Sequence, residues 1–436
     1  MTSPAERARF VRDRLPAGGL FADQHWRIGT EPFSLGPELV KEFDTLGRVL
    51  LQFYRAVNLL YRRSVEGKQP EWVAQWLDQG KPASLVTLQR SASLRNEMPR
   101  VLRPDCLVTA DGLAITELDS VPGGIGLTAW LNETYAASGS VVVGGASGMM
   151  EGFAGIFGAA ARVRIIVSEE AAGYRPEMEW LANRLGNSRF HVENSTFDGV
   201  ADGDAVYRFF ELFDLANVPV AAALQEKLEA GRITVTPPPK AFFEEKLLFA
   251  LLWNRNLRGF WRQELGESFF QRLLKMVPYT WAVDPAPLPP HAALPELNLT
   301  DWQQLKTLSQ REREMILKVS GYSEEAWGAR GVYFGSDLSS ADWSMAVDKA
   351  LSAWPQSPYV LQRYHKPRLV ETAYFDFEQN TVVPMPGRAR LCPYYFVSGD
   401  GDKSRATLGG ILATICPADK KIIHGMKDAV LVPCVA

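Results

Sequence analysis

Apolar and polar residues alternate over residues 105–109 and again over 113–119, with the dipeptide Asp111-Gly112 between the two runs. Period-two alternation on either side of Asp-Gly predicts a β-hairpin. Upstream the pattern is different. Leu39, Phe43, Leu46, Leu50, Phe53, Leu59 and Leu60 recur at spacings of three and four, which predicts helix within 36–100, with a second helix near 70–79. Residues 1–35 read as an arm packed on the body. Past the hairpin, 127–136 reads as a short helix. Over 139–236, strands at 140–143, 164–168, 190–193 and 205–208 alternate with helices at 148–161, 175–185 and 221–229. That order predicts a parallel sheet. Thr236-Pro-Pro-Pro closes the stretch, and apolar helical segments follow at 242–261 and 269–276. Residues 278–281 read as extended, and 284–297, with five prolines, as a surface linker. The remainder, 302–436, reads as one more α/β unit. It has strands at 315–319, 359–364, 370–376, 388–397, 408–416 and 429–433, and a helix at 341–353. Together these patterns predict an α/β (α+β) chain of 1–95, 96–136, 137–240, 241–300 and 301–436.

The chain has 436 residues, more than one hydrophobic core usually serves, so two or three packed subdomains are expected. With 46% hydrophobic and 22% charged residues it has the composition of a globular protein. A formal net charge of −3 offers no footprint for nucleic acid or an anionic membrane, and neither partner is expected. Residues 1–10 lack the apolar segment of a secretory signal. The apolar run 141–160 is broken by glycines and Glu151, so it reads as strand, loop and helix rather than a membrane span. Four cysteines and five histidines show no zinc spacing, and reduced thiols in a cytoplasmic protein are expected.

Chemistry enters at the hairpin. Asp105 and Glu117 can come to lie near one another across it, and Asp119 leaves the same strand face as Glu117. Three acids on one face raise each other's pKa. Two readings stand: a solvated acidic face, or an oxygen cage for Mg²⁺. Val-Pro-Gly-Gly-Ile-Gly at 121–126 is a backbone suited to close approach, which favours a site. Gly-Gly-Ala-Ser-Gly at 144–148 does not have dinucleotide-fingerprint spacing and reads as a tight turn. Late in the chain, Met315–Val319 is an apolar strand carrying one Lys, followed by glycines at 321, 328 and 331. Lys318 is costly there unless its ammonium has partners, and the loop's N–H groups suit phosphate oxygens. An edge-strand Lys reaching solvent is the competing reading. No Ser-His-Asp or Cys-His arrangement stands out.

These pieces resemble an ATP-grasp ligase. Arg103-Pro-Asp105…Glu117-Leu-Asp119-Ser-Val-Pro-Gly-Gly is similar to the Arg-x-Asp…Glu-x-Asn…Pro run of the circularly permuted branch, which includes the glutathionylspermidine-synthase-like proteins. Arg390-Leu-Cys-Pro-Tyr-Tyr-Phe, Leu408-Gly-Gly-Ile and His424-Gly-Met-Lys-Asp-Ala-Val resemble its closing segments. The resemblance spans about residues 95 to 436. It implies an ATP-grasp fold in circularly permuted order, with an N-terminal helical segment at 1–95, a metal-binding hairpin at 96–136 belonging to the ATP-grasp C-terminal lobe, a pre-ATP-grasp domain at 137–240, a helical region and Pro-rich linker at 241–300 and the ATP-grasp lobes at 301–436. It also implies an ATP-dependent carboxylate–amine ligase acting through an acyl phosphate, or a non-catalytic nucleotide-binding homologue. ATP and Mg²⁺ would be the cofactors, and small-molecule or peptide carboxylates and amines the partners. Asp105 and Glu117 would bind Mg²⁺, with Asp119 standing where the family has Asn. Lys318 would contact ATP; Ser320, Gly321, Gly328 and Gly331 would form the lid; Gln362 and Tyr364 would lie at the adenine. Lys246 would be an earlier ATP contact, or a helix Lys paired with Glu244 and Glu245. Arg103 and Arg390 would stabilise phosphate or acyl phosphate, or serve as structural ion pairs. Arg208 would bind a substrate carboxylate, or pair with Glu211.

Overall fold

The computed structural model describes residues 3–20, 25–290, 292–326, 330–423 and 428–436. Helix α1 (Pro4–Arg12) opens on a capping box, Ser3 and Glu6 each accepting the other's backbone N–H. Two short strands, β1 (Arg27–Ile28) and β2 (Phe33–Ser34), lead to the long helix α2 (Pro37–Val65), then α3 (Glu71–Asp78) and α4 (Ala83–Gln89). The hairpin β3 (Val101–Thr109) and β4 (Gly112–Asp119) is followed by α5 (Ile125–Ala137) and α6 (Gly148–Gly155). Next come β5 (Val163–Val167), α7 (Arg175–Leu185), β6 (Phe190–Asn194), β7 (Ala205–Phe209), α8 (Ala221–Glu229) and β8 (Thr234–Thr236). Helices α9 (Leu247–Trp253) and α10 (Arg258–Met276) precede β9 (Thr280–Ala282), β10 (Met315–Val319) and β11 (Val332–Phe334). Helix α11 (Ser340–Ala353), β12 (Tyr359–Arg363) and β13 (Leu369–Asp376) come next. The long strands β14 (Thr381–Ser398), β15 (Arg405–Pro417) and β16 (Val430–Val435) complete the chain. No described helix is long and apolar enough to cross a membrane.

The chain forms two compact units, one from residues 1–54, 91–239 and 367–436, the other from 55–90 and 240–366. In the first, eight strands form a sheet of order β1-β16-β15-β14-β3-β4, with β13 also on β14 and β2 on β16. The β14 strand is its spine: β15 runs along one edge, and β13 and β3 pair with its first and second halves. Helix α5 is buried almost all round and packs on β15, β16, α6 and α7, which makes it a core helix rather than a surface one. The same unit holds a parallel sheet, β6-β5-β7-β8. Val163, Ile165, Ile166 and Val167 are all buried there, as a strand covered on both faces requires. All four cysteines are buried thiols outside any disulfide, with Cys392, Cys416 and Cys434 in the large sheet's β14, β15 and β16.

The second unit is built on an antiparallel sheet, β11-β10-β12-β9. One face sends Met315, Leu317, Val319 and Leu361 into a core with Trp343, Val347 and Ala350 of α11. The fully buried Trp343 indole donates to the Leu305 carbonyl at 2.8 Å, so its polar edge is satisfied.

Five expectations change. The strand expected at 140–143 is a single bridge, Val142 to Val435. The helix expected at 148–161 ends at Gly155, in a stretch whose glycines at 152, 155 and 158 weaken helix, Gly158 at φ +52°. The helical segment expected at 242–261 is interrupted where Glu245 and Asn254 adopt extended backbone, while Gly266, at φ +71°, falls between that segment and the one expected at 269–276. The stretch 302–436 is divided after Lys366, because β13–β16 join the sheet of the early hairpin. That hairpin turns on Ala110-Asp111, with Gly112 at φ +115° opening β4.

Candidate functional site

In the larger unit, hairpin register sets Asp105 opposite Glu117 and Arg103 opposite Asp119, with a bulge after Asp105. Asp105 is 5% exposed. Arg390 of β14, 285 residues away, donates to its Oδ2 at 2.9 Å. Arg103 Nη2 lies 3.2 Å from its Oδ1, and the Cys392 thiol donates to the same oxygen at 3.4 Å. Arg103 also pairs with Asp119 Oδ2 at 2.5 Å, while Asp119 Oδ1 accepts the Val121 N–H at 3.0 Å. Burial first, then Asp105 and Glu117, push the Asp119 carboxyl up against the pull of Arg103. Burial opposes the charge of Arg103, but Asp119 and Asp105 outweigh it and hold the guanidinium well above its ordinary range. The Cys392 thiol is pushed up to about 12, by burial and then by Asp105, so it is a protonated donor and no nucleophile.

This donor set does not fit Mg²⁺ as it stands. The ion asks for near-octahedral oxygens at about 2.0–2.1 Å. Both oxygens of Asp105 and both of Asp119 already serve guanidinium, thiol or backbone donors. Among the described residues no group of three or more His, Cys, Asp or Glu is arranged to hold a metal.

The glycine stretch after the hairpin has an internal occupant, which the sequence did not signal. Glu177 of α7, fully buried, accepts the N–H groups of Gly124 at 2.7 Å and Leu127 at 2.8 Å, at the start of α5. A Cβ on Gly126 would meet the Glu177 carbonyl at 2.3 Å, and one on Gly123 the Tyr174 ring at 2.3 Å. Gly124 holds φ +82°. The Gly123 carbonyl faces the hairpin, accepting from Arg103 Nη1 at 3.0 Å and the Tyr394 hydroxyl at 2.7 Å. Burial raises Glu177 from 4.5 to about 7, the backbone N–H groups and Arg103 pulling the other way. Between those values the folded chain binds a proton that the unfolded chain does not, so stability falls as pH rises from about 4.5 to about 7. The loss is on the order of 3 kcal/mol. Urea midpoints across that range are expected to lose this slope in Glu177→Gln; an unchanged slope would disprove the assignment.

Arg208 of β7 is 2% exposed, and its guanidinium donates to the carbonyls of Pro237, at 3.2 Å, and Phe210, at 2.5 Å. These bonds point it into its own unit's backbone.

In the smaller unit, Lys318 and Gln362 leave the sheet on the face opposite the Trp343 core. Lys318, 8% exposed, donates from Nζ to Gln362 Oε1 at 2.9 Å. Gln362 Nε2 donates to Thr280 Oγ1 at 3.1 Å, and that hydroxyl to the Pro278 carbonyl at 2.8 Å. The apolar strand thus tolerates its ammonium because a relay of side chains crosses β10, β12 and β9 to meet it.

The residues after Lys318 are engaged inside the unit. Ser320 is fully buried; its N–H donates to the Pro358 carbonyl at 2.8 Å, and its hydroxyl donates to Glu245 while accepting the Leu247 N–H at 2.9 Å. Glu245 also pairs with Lys81 at 2.5 Å, both side chains wholly buried. A Cβ on Gly321 would meet the Glu244 carbonyl at 2.3 Å, which requires glycine there. The Gly331 N–H donates to the Glu325 carbonyl at 2.8 Å. Gly328 lies outside the described residues, as does the His424–427 part of the C-terminal segment. Lys246 Nζ is 3.5 Å from the Ser320 carbonyl. Tyr364 is half-buried, edge-on to Phe334 at 5.7 Å. Neither Glu177 nor the Lys81–Glu245 pair was singled out from sequence.

No protein-family model matches the chain, and no curated protein does. Among solved structures it is similar to a glutathione synthetase like-effector from Globodera pallida, in apoform, at TM-score 0.59 and 13% identity. That match covers 99% of this chain and 96% of the other. The chain shares that fold. A protein described as a gamma-glutamylcysteine synthetase from Methylobacillus flagellatus KT matches at TM-score 0.41 and 12% identity, covering 88% of each chain, too distant to compare folds.

Proposed function

We propose that this chain is an ATP-dependent carboxylate–amine ligase of the circularly permuted ATP-grasp type. The observation that carries the reading is Lys318, a buried ammonium held by Gln362 and Thr280 on the sheet face opposite the Trp343 core. A Lys kept there at the cost of burial is suited to neutralising phosphate. The fold shared with a glutathione synthetase like-effector supports the same reading.

In this reading ATP, supplied as its Mg²⁺ complex, is attacked at the γ-phosphorus by a substrate carboxylate, releasing ADP and leaving an acyl phosphate. An amine then attacks the acyl carbon, phosphate leaves, and an amide remains. Lys318 takes phosphate charge, and Arg103 and Arg390 take the charge of the acyl phosphate. No side-chain nucleophile is required, in keeping with the protonated Cys392 thiol.

A second reading, a nucleotide-binding regulator without turnover, draws on the hairpin. Asp119 pairs with Arg103, and Asp105 is spanned by two guanidiniums, so the acids are compensated without a metal. ADP release with MgATP and a panel of amino acids, polyamines and short peptides separates the two. Turnover with any carboxylate–amine pair is expected; nucleotide binding without turnover would favour the regulator.

A further inference from the structure

We propose that Glu177 is a positioning residue for Arg103, acting through the Gly123–Leu127 turn. The proposal rests on the ligase reading, in which Arg103 touches the reacting phosphate. Three contacts in series make the connection. The Glu177 carboxylate takes the N–H groups of Gly124 and Leu127, one on each oxygen. That pins the first turn of α5 to α7, where the missing Cβ of Gly126 lets the two helices touch. The turn so held presents the Gly123 carbonyl to Arg103 Nη1 at 3.0 Å. The other Arg103 contacts, Asp105 and Asp119, both lie on the hairpin. Among the described contacts Gly123 is the hydrogen-bond acceptor for this guanidinium outside β3 and β4, while the Tyr394 ring of β14 lies over it at 6.0 Å. Without Gly123 its hydrogen-bond acceptors in this set are the hairpin acids.

A carboxylate is the side chain this position needs. Helix α5 begins with N–H groups that lack intrahelical partners, and a charged acceptor meets two of them at once. An amide in its place accepts one N–H and turns an NH₂ towards the other. The turn then loosens while the side-chain volume is kept. A small displacement of a group contacting the reacting centre lowers rate far more than stability.

The test is a double-mutant cycle on the full chain, with Arg103→Lys and Glu177→Gln separately and together, measuring kcat, KM and melting temperature. Glu177→Gln is expected to lower kcat about tenfold with KM for ATP little changed. In the Arg103→Lys background the same substitution is expected to cost less than about twofold, because its effect is already spent. Equal losses in both backgrounds overturn the proposal and leave Glu177 a purely structural residue. If Glu177→Gln does not fold, Glu177→Asp, which keeps the charge on a shorter arm, is measured in the same cycle. Absence of turnover in the wild-type chain counts against the ligase reading alone. The cycle is then read on the rise in melting temperature caused by inorganic phosphate. Protection that both single substitutions reduce, and that the double variant reduces no further, supports the proposal. Protection left at wild-type size by either one, or no protection at all, overturns it.

Discussion

Lys318→Met is expected to lower ATP-dependent kcat/KM by at least about 100-fold, on the order of 3 kcal/mol of transition-state stabilisation, with the fold intact. The thioether keeps most of the lysine stem's volume in β10, so the Trp343 core on the opposite face is undisturbed. What is lost is the ammonium and its bond to Gln362 Oε1. Leaving that oxygen without its donor costs about 1–3 kcal/mol of stability, which a melting curve resolves from unfolding. Gln362 keeps its bond to Thr280, so the strand register should survive. The measurement is steady-state ADP release together with nucleotide titration of the folded variant. Wild-type turnover in Lys318→Met would end the assignment of this lysine to the phosphates.

Glu245→Gln is expected to destabilise the protein by about 3–5 kcal/mol, because it strands the Lys81 ammonium in a wholly buried position. The same carboxylate accepts the Ser320 hydroxyl, so a second buried donor loses a charged acceptor. Lys81→Met combined with Glu245→Gln should recover much of the loss, since removing both charges removes the desolvation cost with them. Urea unfolding of the three variants tests this. If Glu245→Gln costs under about 1 kcal/mol, or if the double variant is worse than the single, the pair is not the anchor its burial implies.

How far the sequence went depends on the separation of the residues involved. The hairpin was legible because period-two alternation is local, and β3 and β4 lie next to each other in the chain. Lys318 was legible because a charge in Met-Ile-Leu-Lys-Val is anomalous wherever the strand sits. Its partner Gln362 lies on the β12 strand, which was also located, but Gln362 was read as an adenine contact and its bond to the ammonium was not foreseen. The Val-Pro-Gly-Gly-Ile-Gly stretch was read correctly as a place of close approach, while what approaches was hidden. Glu177 is 53 residues from Gly124, in a helix whose apolar face gave no sign of a buried acid. Lys81 and Glu245 are 164 residues apart. Each looks like an ordinary surface charge in its own stretch of sequence, and only the folded chain turns them inward. The same applies to the division after Lys366. Strands 369–376 and 381–398 alternate like their predecessors, and nothing local says that they leave one sheet for another.

The strand order of the large sheet bears on how the chain is made. The β3–β4 hairpin emerges from the ribosome with both outer edges unpaired, and β14, the later neighbour of β3, is not synthesised until residues 381–398. At about 5–20 residues per second the interval is on the order of tens of seconds. Throughout it, β3 shows its free backbone to any other nascent strand. Arg103, Pro104 and Asp105 stand on that strand, two opposite charges and a residue that cannot donate, the kind of sequence that discourages wrong pairing. The residues put forward for chemistry at the end of synthesis would thus also guard the hairpin while it waits.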